Sequence, residues 1–124
     1  MASNKLVSIG PVALTATLTT NILNTAVTSL AGPVGITVTQ PYLIVRHIRI
    51  VNKTAGAVTF SLWKGATGAN AAGTEVVGTG QSVAANSAYD WYGMMRFDAA
   101  DFLVGGASAA TSLTLQAEGE IGLV

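Results

Sequence analysis

Cysteine is absent from the 124-residue chain, so it has no disulfide framework and no thiol chemistry. The fold must be held by its core, helped by any association with other chains. Charge is scarce as well. Six Lys and Arg and six Asp and Glu make up 10% of the residues and sum to a formal net charge of zero. A nucleic-acid binder normally shows a basic patch, and the only local concentration of cations here is Arg46, Arg49 and Lys53. No nucleic-acid partner is expected. Net charge near zero favours association, which points to an assembled protein largely covered by neighbours. Although 50% of the residues are hydrophobic, no apolar run approaches the roughly 20 residues that span a bilayer, so no membrane partner is expected. The start, MASNKLVSIGPVAL, has one Lys and no long apolar stretch, and no signal peptide is expected there.

Groups that carry chemistry are equally few. His47 is the single histidine. A metal site needs several converging ligands, and a nucleophilic serine needs a base and an orienting acid. One histidine supplies neither constellation, and a hydrogen-bonded place on a strand is the expected role of His47. Asp98 and Asp101 stand three apart around a turn, where Asp side chains bond nearby backbone amides. The Gly-rich GATGANAAG after Lys64 lacks the Gly-Lys-Ser/Thr ending and the helix of a phosphate loop. No catalytic residue, metal or cofactor is expected, and the chain does not read as an enzyme.

What is present is strand pattern. In Tyr42 to Lys64, YLIVRHIRIVNKTAGAVTFSLWK, one face of the first arm carries Tyr42, Ile44, Ile48 and Ile50, interrupted by Arg46. The other carries Leu43, Val45 and Val51, interrupted by His47 and Arg49. Apolar residues on both faces predict a central strand between two layers. The second arm alternates Val58, Phe60 and Leu62 with Thr59, Ser61 and Trp63. The Asn52–Gly56 cluster between the arms predicts a hairpin. Further short strands are predicted at Pro11 to Thr20 and at Gly35 to Thr39. Asn21 to Leu30 has helical spacing at Ile22, Leu23, Ala26, Val27 and Leu30, but Thr25 and Thr28 favour strand, and strand or irregular structure is expected there. Other strands are predicted at Glu75 to Val77, Gln81 to Ala85, Ala88 to Tyr92, Met94 to Phe97, Phe102 to Val104 and from Ser112 onward. Gly105-Gly106 reads as a break. Roughly eight short strands with turn signals every ~8–12 residues predict an all-β chain, an antiparallel β-sandwich or jelly roll. Residues 1–10 are expected to form an N-terminal arm, and residues 11–124 a single β-sandwich domain.

The aromatic cluster Tyr89, Trp91 and Tyr92 has two readings. Tyr89 and Trp91 share a face and would pack in the core with Phe60 and Trp63. Alternatively Trp63, Trp91 and Tyr92 form a glycan-contact surface.

Two segments together resemble a known family. RHIRIVNKTAGAVTFSLWKG (46–65) is an alternating apolar strand, an Asn-x-Thr turn and a Thr-containing strand. YDWYGMMRFDAADFLVGGASAATSLTLQAEGEI (89–121) continues with an aromatic strand, an Asp-containing turn, a small-residue loop and a final alternating strand. They resemble small virion proteins of tailed bacteriophages, including capsid decoration (cement) proteins and related head or fibre β-domains. The resemblance covers about the C-terminal two-thirds of the chain, and its motifs are structural rather than chemical. It implies a β-sandwich subunit, often trimeric, that sits on the outer surface of the capsid and clamps neighbouring major capsid protein subunits. It carries over no catalytic residue. Contacts are then expected in the N-terminal arm, at Ser3, Asn4, Lys5, Leu6 and Val7, in the 66–74 loop, and at Arg46, His47 and Arg49. The alternative is a phage fibre, host-attachment or carbohydrate-binding module.

Overall fold

The computed structural model describes residues 5–24, 42–66, 68, 70–98 and 101–122. Among these residues every regular element is a strand. The strands are β1 (Lys5–Ala13), β2 (Asn21–Asn24), β3 (Tyr42–Asn52), β4 (Val58–Gly65), β5 (Gln81–Val83), β6 (Ser87–Phe97), β7 (Phe102–Ala107) and β8 (Leu113–Gly122). They form two four-stranded sheets, in the orders β1-β8-β3-β6 and β2-β7-β4-β5. Every pairing is antiparallel. Except at β4–β5, each strand is followed by one in the opposite sheet. These interleaved orders are those of the eight-stranded jelly roll, two Greek keys wrapped into a double sheet. The chain is the all-β sandwich that its alternation predicts.

The hydrophobic core lies between the sheets. Leu43, Val45, Ile48, Ile50, Leu113 and Leu115 from one sheet pack with Val58, Phe60, Leu62, Val83 and Leu103 from the other. Fully burying a side chain of this size contributes about 1.5–3 kcal/mol. The inward set of β3 skips from Val45 to Ile48 because the register shifts between Val45 and His47 against both β6 and β8. A bulge of this kind moves later side chains to the opposite face. This explains why apolar residues occupy both nominal faces of the sequence. β3 is central in its sheet, between β8 and β6, but it does not lie between two layers as expected: one face packs on the core and the other is the outer face of the sheet.

The predicted hairpin does not form. β3 pairs with β6 and β8, and β4 pairs with β5 and β7. The connection is a corner that carries the chain from one sheet to the other, locked by the fully buried Asn52. Its Nδ2 donates to the carbonyls of Gly56 (3.0 Å) and Val83 (2.9 Å). Its Oδ1 accepts from the Thr54 N–H (2.9 Å) and Thr54 Oγ1 (2.7 Å). Both arms carry apolar residues for the same interior, so they face each other across the core.

Other elements differ from the sequence reading. Residues 5–10, expected as part of an arm, belong to β1, which pairs with β8 from Lys5↔Ile121 to Ala13↔Thr114. The strand expected to reach Thr20 ends at Ala13. Beyond it Thr15 and Thr20 share a hydroxyl–hydroxyl bond of 2.6 Å, and Thr20 Oγ1 donates to the Thr17 carbonyl. Such local threonine bonds compete with a strand ladder. The two aromatic pieces around Gly93 are one strand, β6. Gly105 and Gly106, expected as a break, lie inside β7. A Cβ at Gly105 would sit 2.0 Å from the Ser61 carbonyl oxygen of β4, so the strands approach too closely for a side chain there. At the Asp98–Asp101 turn the Asp101 N–H donates to the Asp98 carbonyl and the Asp98 N–H to the Asp101 carboxylate, both at 2.9 Å. That is the turn chemistry expected of the pair. The strand predicted at Gly35 to Thr39, and the part of Asn21 to Leu30 beyond Asn24, lie outside the described residues.

Candidate functional site

The outer face of the β1-β8-β3-β6 sheet gathers most of the charged side chains of these strands. Alternation sends every second residue outward, and the bulge in β3 brings Arg46, His47 and Arg49 to this face. Across the sheet they meet residues from three other strands. One row runs Leu6, Glu120, Ile44 and Arg96; the next runs Ser8, Glu118, His47 and Tyr92; a third runs Gln116, Arg49 and Asp90.

Arg46 Nε donates to Glu120 Oε2 at 2.6 Å. Arg49 holds Asp90 through a fork, Nε to Oδ1 at 2.8 Å and Nη2 to Oδ2 at 3.3 Å. A forked guanidinium–carboxylate pair fixes orientation as well as charge. His47 lies between two carboxylates, with Nε2 2.7 Å from Asp90 Oδ1 and Nδ1 2.9 Å from Glu118 Oε1. Its ring stacks on Tyr92 with centroids 4.6 Å apart and planes 10° from parallel. The hydrogen bonds from Arg49, then from His47, hold the Asp90 carboxyl at about 2. The Asp90 hydrogen bond raises His47 above its ordinary 6.5, burial works against that, and Glu118 adds to the rise.

A carboxylate can only accept a hydrogen bond, so two carboxylates on one imidazole call for N–H at both nitrogens. With both contacts made, His47 is an imidazolium whose two N–H groups face Asp90 and Glu118. Ser8 shares a hollow of about 170 Å³ with His47. Among the described residues no group of three or more His, Asp or Glu side chains is placed to hold a metal ion.

Apolar surface accompanies the charges. Leu6 is 83% exposed and Tyr92 71%, both on this face, and Met94 is 67% exposed where β6 shifts register. Leu6, Arg46, His47, Tyr92, Glu118 and Gly119 line a second hollow of about 320 Å³. Arg96 lies 4.3 Å over the ring of Tyr42.

Of the expected interface residues, Leu6, Arg46, His47 and Arg49 come together here. Lys5 and Val7 belong to β1, and Ser3 and Asn4 lie outside the described residues. The 66–74 loop belongs to the β4–β5 connection of the other sheet. The three aromatics weighed as a glycan surface do not share one. Tyr92 faces outward, Trp91 pairs with the inward Ile48 and packs against the core, and Trp63 is buried in β4 opposite Val104. Tyr89 meets Phe60 edge-to-face at 5.3 Å.

Asp90, Glu118 and Glu120, the acids that complete the network, were not singled out by sequence reasoning. Their signal is alternation. Asp90 sits between inward Tyr89 and Trp91, and Glu118 and Glu120 alternate with buried Ala117, Gly119 and Ile121. The chain matches no protein-family model and no curated protein.

Proposed function

We propose that the chain is a structural virion protein, a capsid decoration (cement) protein of a tailed phage. In this reading it sits on the outer surface of the head as a homotrimer and binds between major capsid protein subunits. The observation that supports the reading best is the outer face of the β1-β8-β3-β6 sheet. Exposed Leu6 and Tyr92 line a hollow with Arg46, and neighbouring carboxylates orient Arg46 and Arg49. Tyr, Met and Arg are the residues enriched at protein–protein contacts, and orientation set in advance lowers the entropic cost of binding. The eight-stranded jelly roll, a fold shared by viral capsid domains and by other proteins, agrees with this reading. Many such contacts repeated by capsid symmetry would supply avidity from weak individual sites.

The test is to purify particles from the source that encodes the chain, identify their proteins by mass spectrometry, and label them with antibody against the folded protein. Label on the outside of heads is expected, at a copy number comparable with that of the shell subunit. Particles that lack the protein would overturn the reading. Light scattering of the purified protein is expected to give the mass of three 12.6 kDa chains, and a stable dimer would contradict the trimer.

The exposed ring of Tyr92 beside the larger hollow favours one second reading, a host-attachment or carbohydrate-binding module. A glycan array would show saturable binding abolished by Tyr92→Ala with the fold intact.

A further inference from the structure

His47 ties β3 to both of its neighbours at once, through Asp90 on β6 and Glu118 on β8. Among the described residues, His47 and Glu118 line both hollows on this face. Those two residues, in contact at 2.9 Å, stand where the two hollows adjoin. On one side lie Ser8, Arg49, Gln116 and Ala117, and on the other Leu6, Arg46, Tyr92 and Gly119.

We propose that His47 is a proton-operated latch: doubly protonated, it pins Glu118 as a wall between the two hollows, and on losing one proton it releases Glu118 and joins them into one groove. A neutral imidazole has one N–H and one lone pair. It can donate to one carboxylate, and its lone pair repels the other. One contact must open, and the structure identifies which. Asp90 keeps its fork from Arg49 and is 25% exposed, whereas Glu118 is 64% exposed. Among the described residues Glu118 has no second hydrogen-bond partner for its carboxylate.

The groups facing the ring act consistently with this. Asp90 and Glu118 favour the charged form, and Tyr92 from β6 stacks on it without competing for a nitrogen. Arg46 and Arg49, on β3 itself, oppose the charge, but each is engaged by its own acid, Glu120 and Asp90. Ser8 on β1 lines the smaller hollow. The device belongs to the isolated protein and does not rest on the proposed capsid role.

With one histidine in the chain, the test is unambiguous. The purified full-length protein, labelled with ¹³C and ¹⁵N, is titrated from about pH 5 to about pH 9, the range in which histidine changes charge. The His47 ring signal and the carboxyl carbons of Glu118 and Asp90 are followed together. The expected His47 midpoint lies above 6.5. The Glu118 carboxyl should shift with that same midpoint, and the Asp90 carboxyl should move less. Glu118→Gln, an exposed substitution, should lower the His47 midpoint and leave the thermal unfolding transition cooperative. A midpoint at or below 6.5, a Glu118 signal that stays still while His47 titrates, or a midpoint unmoved by Glu118→Gln would each overturn the latch.

Discussion

The Asn52 carboxamide is fully buried, and both of its polar atoms are engaged, Nδ2 with two carbonyls and Oδ1 with Thr54. Removing one partner of a buried hydrogen bond costs the bond and leaves the other partner desolvated and unpaired. Asn52→Ala is therefore expected to destabilise the protein by about 2–4 kcal/mol, judged from roughly 1 kcal/mol for each of its bonds together with the orphaned carbonyls. Thr54→Val, which removes a hydroxyl and spares the backbone bond, should cost about 1 kcal/mol. Urea unfolding of the two variants checks both values, and equal losses would contradict the central place given to the carboxamide. The sequence marks Asn52 as a turn former. It does not show that the turn leads to the other sheet, because Val83, which accepts one of the bonds, is 31 residues away.

At the scale of the elements, β7 and β4 approach through glycine. Gly105→Ala would place its Cβ 2.0 Å from the Ser61 carbonyl oxygen, a backbone atom that cannot step aside cheaply. Gly56, in the β3–β4 corner, has nothing within 4 Å of the position a Cβ would take. Gly105→Ala is expected to unfold the protein or lower its melting temperature sharply. Gly56→Ala should stay within about 0.5 kcal/mol of wild type, the usual range for surface changes. Calorimetry on the pair checks this, and similar melting temperatures would refute the close approach. Strand existence was legible because period-2 alternation marks an inward face wherever a core exists, as at Val58, Phe60 and Leu62. Strand partners were not legible. β3 and β4 are adjacent in sequence and each has an apolar face, a pattern equally consistent with side-by-side pairing and with packing across a core. In a jelly roll, pairing is set by distant contacts such as Ile50↔Leu115 and Ile50↔Tyr89.

For the molecule as a whole, the charged face links stability to pH with two opposite signs. Asp90 has a folded value of about 2, below its ordinary 3.8. A lowered carboxylate contributes stability that is full above its unfolded value and is lost as the pH falls from there toward the folded one. His47 is raised above 6.5, so its contribution is full below that value and is lost as the pH rises through the folded one. Stability from this network should therefore be greatest between about pH 4 and about pH 6.5 and decline on either side. Melting temperatures measured from about pH 2 to about pH 9, beyond both ends of that window, should show the alkaline decline reduced in His47→Gln and the acid decline reduced in Asp90→Asn. Unchanged limbs would contradict the network. Half of this face could be read from the chain: Arg46, His47 and Arg49 stand out as a charged interruption in an apolar strand. Their acidic partners sit 41 to 74 residues away, and only the jelly-roll register brings them into the same rows.

We propose that this sheet face is what the protein presents to a shell. This is tested most directly by adding purified protein back to particles from which it has been stripped and measuring the bound fraction against concentration. The account predicts saturable binding by the wild-type protein, weakened about tenfold or more by Tyr92→Ala, the loss expected when a central aromatic contact is truncated. Folded wild-type protein that does not bind, or Tyr92→Ala binding as tightly as wild type, would contradict it.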